Sequence, residues 1–297
     1  MHAEPFRTAQ SDVAPLRSVL VRAPGDAFAT AAAAPPADWR ALGWHGPPDP
    51  GRAAEEHARL VEVLAGAGAR VVRLAGEPDL SLDSLYPRDA AVVCGDGAIL
   101  CRMGKPARRD EPAAVGRALT GLGVPVLGAI EEPGRLEGGD VAWVDERTLA
   151  VGRGYRTNAE GIRQLRALLG DRVDALLEVP LPHWRGPGDV FHLMSMYSPL
   201  ADGLALVHAP LLPVPFREAL LGRGTRLVEV PDEEFEGLGC NALALAPGRC
   251  VLVEGNPVTR SRLEAAGVEV IEIAGSEMCR KGSGGPTCLT RPLVRKI

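Results

Sequence analysis

The chain has 297 residues, 46% of them hydrophobic and 24% charged, with a formal net charge of −5. That is enough material for one large core or two modest ones, and with no run of like charge nothing points to nucleic acid or a membrane surface. No stretch approaches the roughly eighteen apolar residues of a membrane span, and the N-terminal MHAEPFRTAQ has no apolar signal region, so a cytoplasmic protein is expected.

In chain order, the apolar stretch 18–24 reads as a strand with no partner of its own. An amphipathic helix over 52–66 then runs into LAGAGARVVRL (64–74). The same succession of helix end, small-residue break and strand returns in LTGLGVPVL (119–127), LLGDRVDALLEV (168–179), LLGRGTRLVEV (220–230) and LEAAGVEVIEI (263–273). Leu and Ala carry the helix, Gly gives a left-handed stop, and Val, Ile and Leu carry the strand. A second clear helix spans 158–170. Hairpins are expected in AAVVCGDGAILC with a turn at Gly95-Asp96-Gly97, in DVAWVDERTLAVG at Asp145-Glu146, and in LALAPGRCVLVEG at Pro247-Gly248. The period is close to fifty residues. The last unit runs out of chain after TCLTRPLVRKI, where the strand 18–24 can pair and close a ring without open sheet edges. One catalytic domain over 1–297, made of five repeated ββαβ-type units, is the expected organisation.

The same place in each unit carries a polar residue. It holds Asp89 in LYPRDAAVV, Glu137 and Asp140 in LEGGDVAWV, His192 in DVFHLMSMYS, Asn241 in GLGCNALAL and Cys288 in GGPTCLTRPL. The steps from Asp89 to Glu137, His192, Asn241 and Cys288 are 48, 55, 49 and 47 residues. In a five-fold ring these positions converge on the axis. Taken singly, each has a plainer reading. His192 suits a satisfied core histidine, Glu137 and Asp140 suit turn formers beside Gly138-Gly139, and Asp89 suits a local cap or a partner for Arg88. Together they form a nucleophile, a proton carrier and carboxylates. Acids beside a thiol raise its pKa unless the substrate is itself a cation, and a guanidinium matches carboxylates in charge and donor geometry.

On RDAAVV, LEGGDV, VGRGYRTNAEG, FHLMS and the terminal GGPTC, in that order, the chain resembles the guanidino-group-modifying enzymes. These include dimethylarginine dimethylaminohydrolase, arginine deiminase and the amidinotransferases. The resemblance implies the pentein fold, a five-bladed pseudo-symmetric α/β propeller, and no metal or organic cofactor. It implies Cys288 as nucleophile, His192 as acid and then base, and Glu137 steadying the histidine or the substrate. Asp89 would bind the guanidino end and Asp83 the substrate's amino group. Arg108, rather than its neighbour Arg109, and Arg156 would hold the carboxylate, and GWHGPPDPG (43–51) would be a lid. Two departures stand out. Met194 follows His192-Leu193 where deiminases and amidinotransferases carry an acid, and Arg88 precedes Asp89 where the dimethylaminohydrolases carry one. Asp140, Asn241 and Met194 complete the expected substrate contacts.

These residues lead to a cysteine hydrolase cleaving a C–N bond of a guanidino small molecule, with an Nω-methylated arginine favoured. Deimination of arginine, hydrolysis of a ureido compound such as citrulline, and amidino transfer are the alternatives. A small guanidino or ureido substrate is the expected partner, with no nucleic acid and no membrane, and a homodimer as the candidate assembly. A zinc hydrolase lacks its H-E-x-x-H and C-x-x-C patterns here, and a catalytically inert binding module would not form a covalent adduct at Cys288. The six cysteines, Cys94, Cys101, Cys240, Cys250, Cys279 and Cys288, form no such pair and are expected reduced.

Overall fold

The structure is a computed structural model that describes residues 6–28, 39–77, 79–189 and 191–296. Among the described residues, fifteen strands form five three-stranded sheets. Strands β1 (Leu16–Val21) and β2 (Arg70–Arg73) belong to the first sheet. The second is β3 (Ala91–Cys94), β4 (Gly97–Leu100) and β5 (Val126–Ala129). The third is β6 (Val141–Asp145), β7 (Thr148–Arg153) and β8 (Ala175–Pro180). The fourth is β9 (Tyr197–Ala201), β10 (Leu204–Val207) and β11 (Arg226–Glu229). The fifth is β12 (Leu243–Ala246), β13 (Arg249–Val253) and β14 (Glu269–Ile273). In each, the middle strand pairs antiparallel on one side and parallel on the other, the parallel partner being reached through a helix.

The first sheet is completed from the other end of the chain. β15 (Arg291–Arg295) pairs antiparallel with β1, while β1 pairs parallel with β2. The ring closure expected for 18–24 is therefore present, with the strand starting and ending a little earlier. Neighbouring sheets abut in a circle, β15 against β3, β6 against β9, β9 against β12 and β12 against β1. Five apolar clusters fill the seams. One, for example, joins Val92, Cys94 and Ile99 to Val141, Trp143 and Leu149, and another joins Leu20 and Leu293 to Ala91 and Val93.

Local chemistry explains the units. In the helix Pro50–Gly66, Asp49 accepts from Arg52 N and Ala53, Leu60, Val63 and Leu64 are buried along one stripe. In the helix Ala159–Leu169, Asn158 accepts from Gly161 N, and Ile162, Leu165 and Leu169 face inward. Every helix-to-strand break contains a glycine at positive φ: Gly68 (85°), Gly123 (75°), Gly170 (53°), Gly224 (77°) and Gly267 (89°). A Cβ is strained in that conformation, which is why the repeat is legible as glycine punctuation.

Two hairpin expectations shift. The β6–β7 turn lies at Glu146-Arg147, with Asp145 Oδ1 accepting from Arg147 N at 2.9 Å, and the β3–β4 turn needs only Gly95-Asp96. A further hairpin, β9–β10, turns at Asp202-Gly203 with Gly203 at φ 70°. Its Asp-Gly pair was the available signal. All six cysteines are free. No helix among the described residues is long and apolar enough to cross a membrane.

Candidate active site

Each of the polar positions in phase with the repeat stands just before the inner strand of its sheet: Asp89 before β3, Glu137 and Asp140 before β6, His192 before β9, Asn241 before β12 and Cys288 before β15. The ring brings Asp89, Glu137, His192, Asn241 and Cys288 together. His192 Nε2 lies 2.7 Å from Glu137 Oε2, and its Nδ1 lies 3.9 Å from Asp89 Oδ1. Asn241 Nδ2 donates to Cys288 Sγ at 3.3 Å, while its Oδ1 accepts from Thr287 N at 3.0 Å. Gly139 is the residue that allows this closeness. A Cβ there would come within 2.6 Å of His192 Nδ1 and 2.7 Å of Asp89 Oδ1. Its N–H donates to Asp89 Oδ1 at 2.8 Å.

Two cavities meet at Cys288 and His192. The outer one, about 130 Å³, is bounded by Arg88, Met194, Asn241 and an aromatic rim of Trp184, Phe191 and Phe235. The inner one, about 20 Å³, is bounded by Asp83, Asp89, Lys105, Arg108 and Arg156 beneath Leu42 and Gly43. Met194 therefore bounds the same cavity as the thiol, its Sδ accepting from Arg88 Nη2 at 3.1 Å. Arg88 is also tied to Asp12 at 2.9 Å.

Several expected ligands have protein partners instead. Arg108, expected on a substrate carboxylate, is buried and bidentate on Glu111 (2.9 and 2.8 Å), and it also holds Asp89 (2.6 Å) and the Tyr86 carbonyl (2.9 Å). Its position three residues before Glu111 makes that pair local. Arg109 is exposed. Arg156 donates to Glu137 Oε2 at 3.1 Å. Asp83 meets Trp44 Nε1 and the Lys105 ammonium. Asp140 bounds neither cavity. Its Oδ1 accepts from Leu193 N at 3.0 Å and so fixes the turn that carries His192, because a buried backbone N–H there needs an acceptor. In the expected lid, Leu42 and Gly43 roof the inner cavity, Trp44 is buried, and the helix already begins at Pro50. Sequence reasoning missed Lys105, Trp44 and Glu111.

Electrostatics separate the two central groups. Burial pushes the Cys288 thiol up, Asp89 pushes it further, and Asn241 only partly offsets them, leaving it at about 11. Burial disfavours the His192 cation, but Asp89, Asp140 and Glu137 outweigh it and raise His192 to about 9. For Glu137 burial acts upward, and the hydrogen bond with His192 and the charge of Arg156 overcome it, holding the carboxyl well below its usual range. Asp89, Glu137 and His192 offer ligand atoms within 4.8 Å of one another. A cation bound through Glu137 Oε2 would compete with the Arg156 and His192 contacts that already meet that oxygen.

The arginine deiminase family model matches residues 78–198 and 207–295. The N(G),N(G)-dimethylarginine dimethylaminohydrolase of Streptomyces coelicolor is 35% identical over 245 residues, 82% of this chain and 86% of that protein. An arginine deiminase of Listeria welshimeri is 30% identical over 258 residues, and this chain spans only 62% of its length. Among solved structures, the dimethylaminohydrolase of Pseudomonas aeruginosa complexed with citrulline superposes with a TM-score of 0.76 at 24% identity, over 95% of this chain and all of that one. The amidinotransferase SxtG of Microseira wollei gives 0.79 at 17% identity over 98% of both. These likenesses show the pentein fold, and the sequence matches show the family. The chain belongs to the arginine deiminase family, within the superfamily of guanidino-group-modifying enzymes.

Proposed function

We propose that the protein is a cysteine hydrolase cleaving a terminal C–N bond of an arginine-type guanidino acid, with an Nω-alkylated nitrogen as leaving group. The observation that carries this reading is the placement of His192. It is held by Glu137 at 2.7 Å and bounds, with Cys288, both cavities.

At neutral pH the resting pair is thiol and imidazolium. A cationic guanidinium beside Cys288 favours loss of the thiol proton to solvent. The thiolate attacks the guanidino carbon, the C–N bond breaks, and His192 gives its proton to the departing amine. An S-alkylthiouronium remains on Cys288. Neutral His192 takes a proton from water, the hydroxide attacks the same carbon, and the C–S bond breaks. The departing thiolate takes the extra proton of the protonated ureido group, so the products are a ureido compound and an amine, with thiol and imidazolium regenerated. Asn241 accompanies the sulfur through its 3.3 Å contact.

Met194 and the aromatic rim support an alkylated leaving group. A thioether is a weak acceptor, and this one already receives Arg88. A buried guanidino N–H aimed at it would lack a partner, at a cost of about 1–3 kcal/mol. A methyl group packs there without loss. The Arg88 charge in the same cavity favours a second reading, a neutral ureido substrate.

Turnover of Nω-methylated arginine, arginine, citrulline and their analogues, followed by mass detection of products and of the adduct, separates these. Cys288→Ser should abolish turnover, and Cys101→Ser and Cys250→Ser should largely keep it. Full activity in Cys288→Ser refutes the mechanism. Free arginine turned over faster than every alkylated or ureido analogue refutes the role given to Met194.

A further inference from the structure

Every acid of the inner cavity already holds a cation of the protein. Asp83 is the telling case. Its Oδ1 accepts from Trp44 Nε1 at 2.8 Å, and its Oδ2 is paired with the Lys105 ammonium. The two side chains are only 6% and 16% exposed, so solvent screens the pair little.

Lys105 is also pinned at its backbone. Its N–H donates to Glu137 Oε1 at 3.2 Å, and the preceding Gly104 N–H donates to the same oxygen at 2.9 Å. The ammonium reaches the carbonyl oxygen of Leu42, on the roof. A substrate ammonium arriving at Asp83 would have to expel Lys105 and strand a half-buried cation without its counterion. It would also stand among Lys105, Arg108 and Arg156. Of these cations Arg156 is the one free to meet a substrate carboxylate, since it uses Nη1 on Glu137 and keeps Nη2 for a second acceptor.

We infer that Lys105 is a specificity-determining residue occupying the place of a substrate ammonium, so that the preferred substrates are guanidino or ureido acids bearing a carboxylate but no charged α-amino group. ω-Guanidino carboxylates and arginine derivatives acylated at the α-nitrogen belong to this class. The inference rests on the cysteine hydrolase reading above.

The test compares kcat/KM for Nω-methylarginine, its Nα-acetyl derivative and 4-(N′-methylguanidino)butanoate. The two without an ammonium should exceed the free amino acid by about tenfold or more. Lys105→Met, by freeing Asp83, should move that ratio toward the amino acid by a similar factor, and Asp83→Asn added to it should remove the gain. A wild-type preference for the free amino acid overturns the inference whatever the variants do. So does a ratio that Lys105→Met leaves unchanged. Turnover of all three compounds alike overturns this inference alone. No turnover across the panel, with no adduct at Cys288, overturns the hydrolase reading and this one with it.

Discussion

Burial and the Asp89 carboxylate hold Cys288 near 11, while Asp89, Asp140 and Glu137 hold His192 near 9 against the opposing effect of its own burial. At pH 7 Cys288 is therefore a protonated thiol beside a charged His192. A neutral reagent such as iodoacetamide should alkylate Cys288 slowly at pH 7 and faster as pH rises through the range 9 to 11. A cationic haloacetamidine should react well at pH 7, because its charge favours the thiolate. A plateau for iodoacetamide already at pH 7 would show a preformed thiolate and end the substrate-assisted mechanism. In the proposed mechanism His192 is protonated when the amine leaves, so with substrate bound and the thiol ionised kcat should fall as pH rises through the His192 pKa. Glu137→Gln removes a charge and a hydrogen bond that raise that pKa, so the descending limb should move to lower pH. An unmoved limb would mean that it reports another group. At this scale Asp89, Glu137, His192, Asn241 and Cys288 were legible because each stands at one phase of the repeat. Lys105, Trp44 and Glu111 were not, because their partners are fixed by loop geometry outside the repeat.

The first sheet exists only because the two ends of the described chain meet. β1 sits between β15 and β2, and Val19 and Leu20 are fully buried. Without β1, β2 and β15 lose their hydrogen-bonded neighbour and two apolar clusters open. Removal of residues 1–21 should therefore lower the melting temperature of the whole fold, and Leu20→Ala should cost about 2–5 kcal/mol in urea unfolding. A truncated protein melting like the parent would contradict closure. The helix-to-strand breaks were readable because left-handed backbone selects glycine. The β9–β10 hairpin was harder, since Pro199 within it argues against a strand. It is tolerated because β9 is the edge of its sheet, with no second ladder for the missing N–H to serve.

Across the molecule, the ring carries a buried charge cluster that no local pattern announces. Arg88, Arg291 and Arg295 lie around Asp12, all four buried, and they tie together segments distant in sequence. Asp12 Oδ1 takes Arg88 Nη2 at 2.9 Å, and its Oδ2 takes Trp143 N at 2.8 Å. Arg291 donates to the Ala91 carbonyl at 2.8 Å and Arg295 to the Ala244 carbonyl at 3.0 Å. Burial alone would raise the Asp12 pKa, but the three guanidinium groups outweigh it and hold it below 3.8. A carboxyl depressed in the fold stabilises it above the unfolded pKa, and that stability fades as pH falls through the folded one. Asp12→Asn keeps the shape and removes the counterion, leaving three buried cations, so the loss at pH 7 should be about 3–5 kcal/mol. Urea unfolding of both proteins from pH 7 down to pH 2 should show the gap narrowing as wild-type Asp12 takes up its proton. A variant as stable as the parent at pH 7 would mean that the cations are neutralised some other way. A gap that stays constant into acid would mean that shape at Asp12, rather than charge, is what the cluster requires.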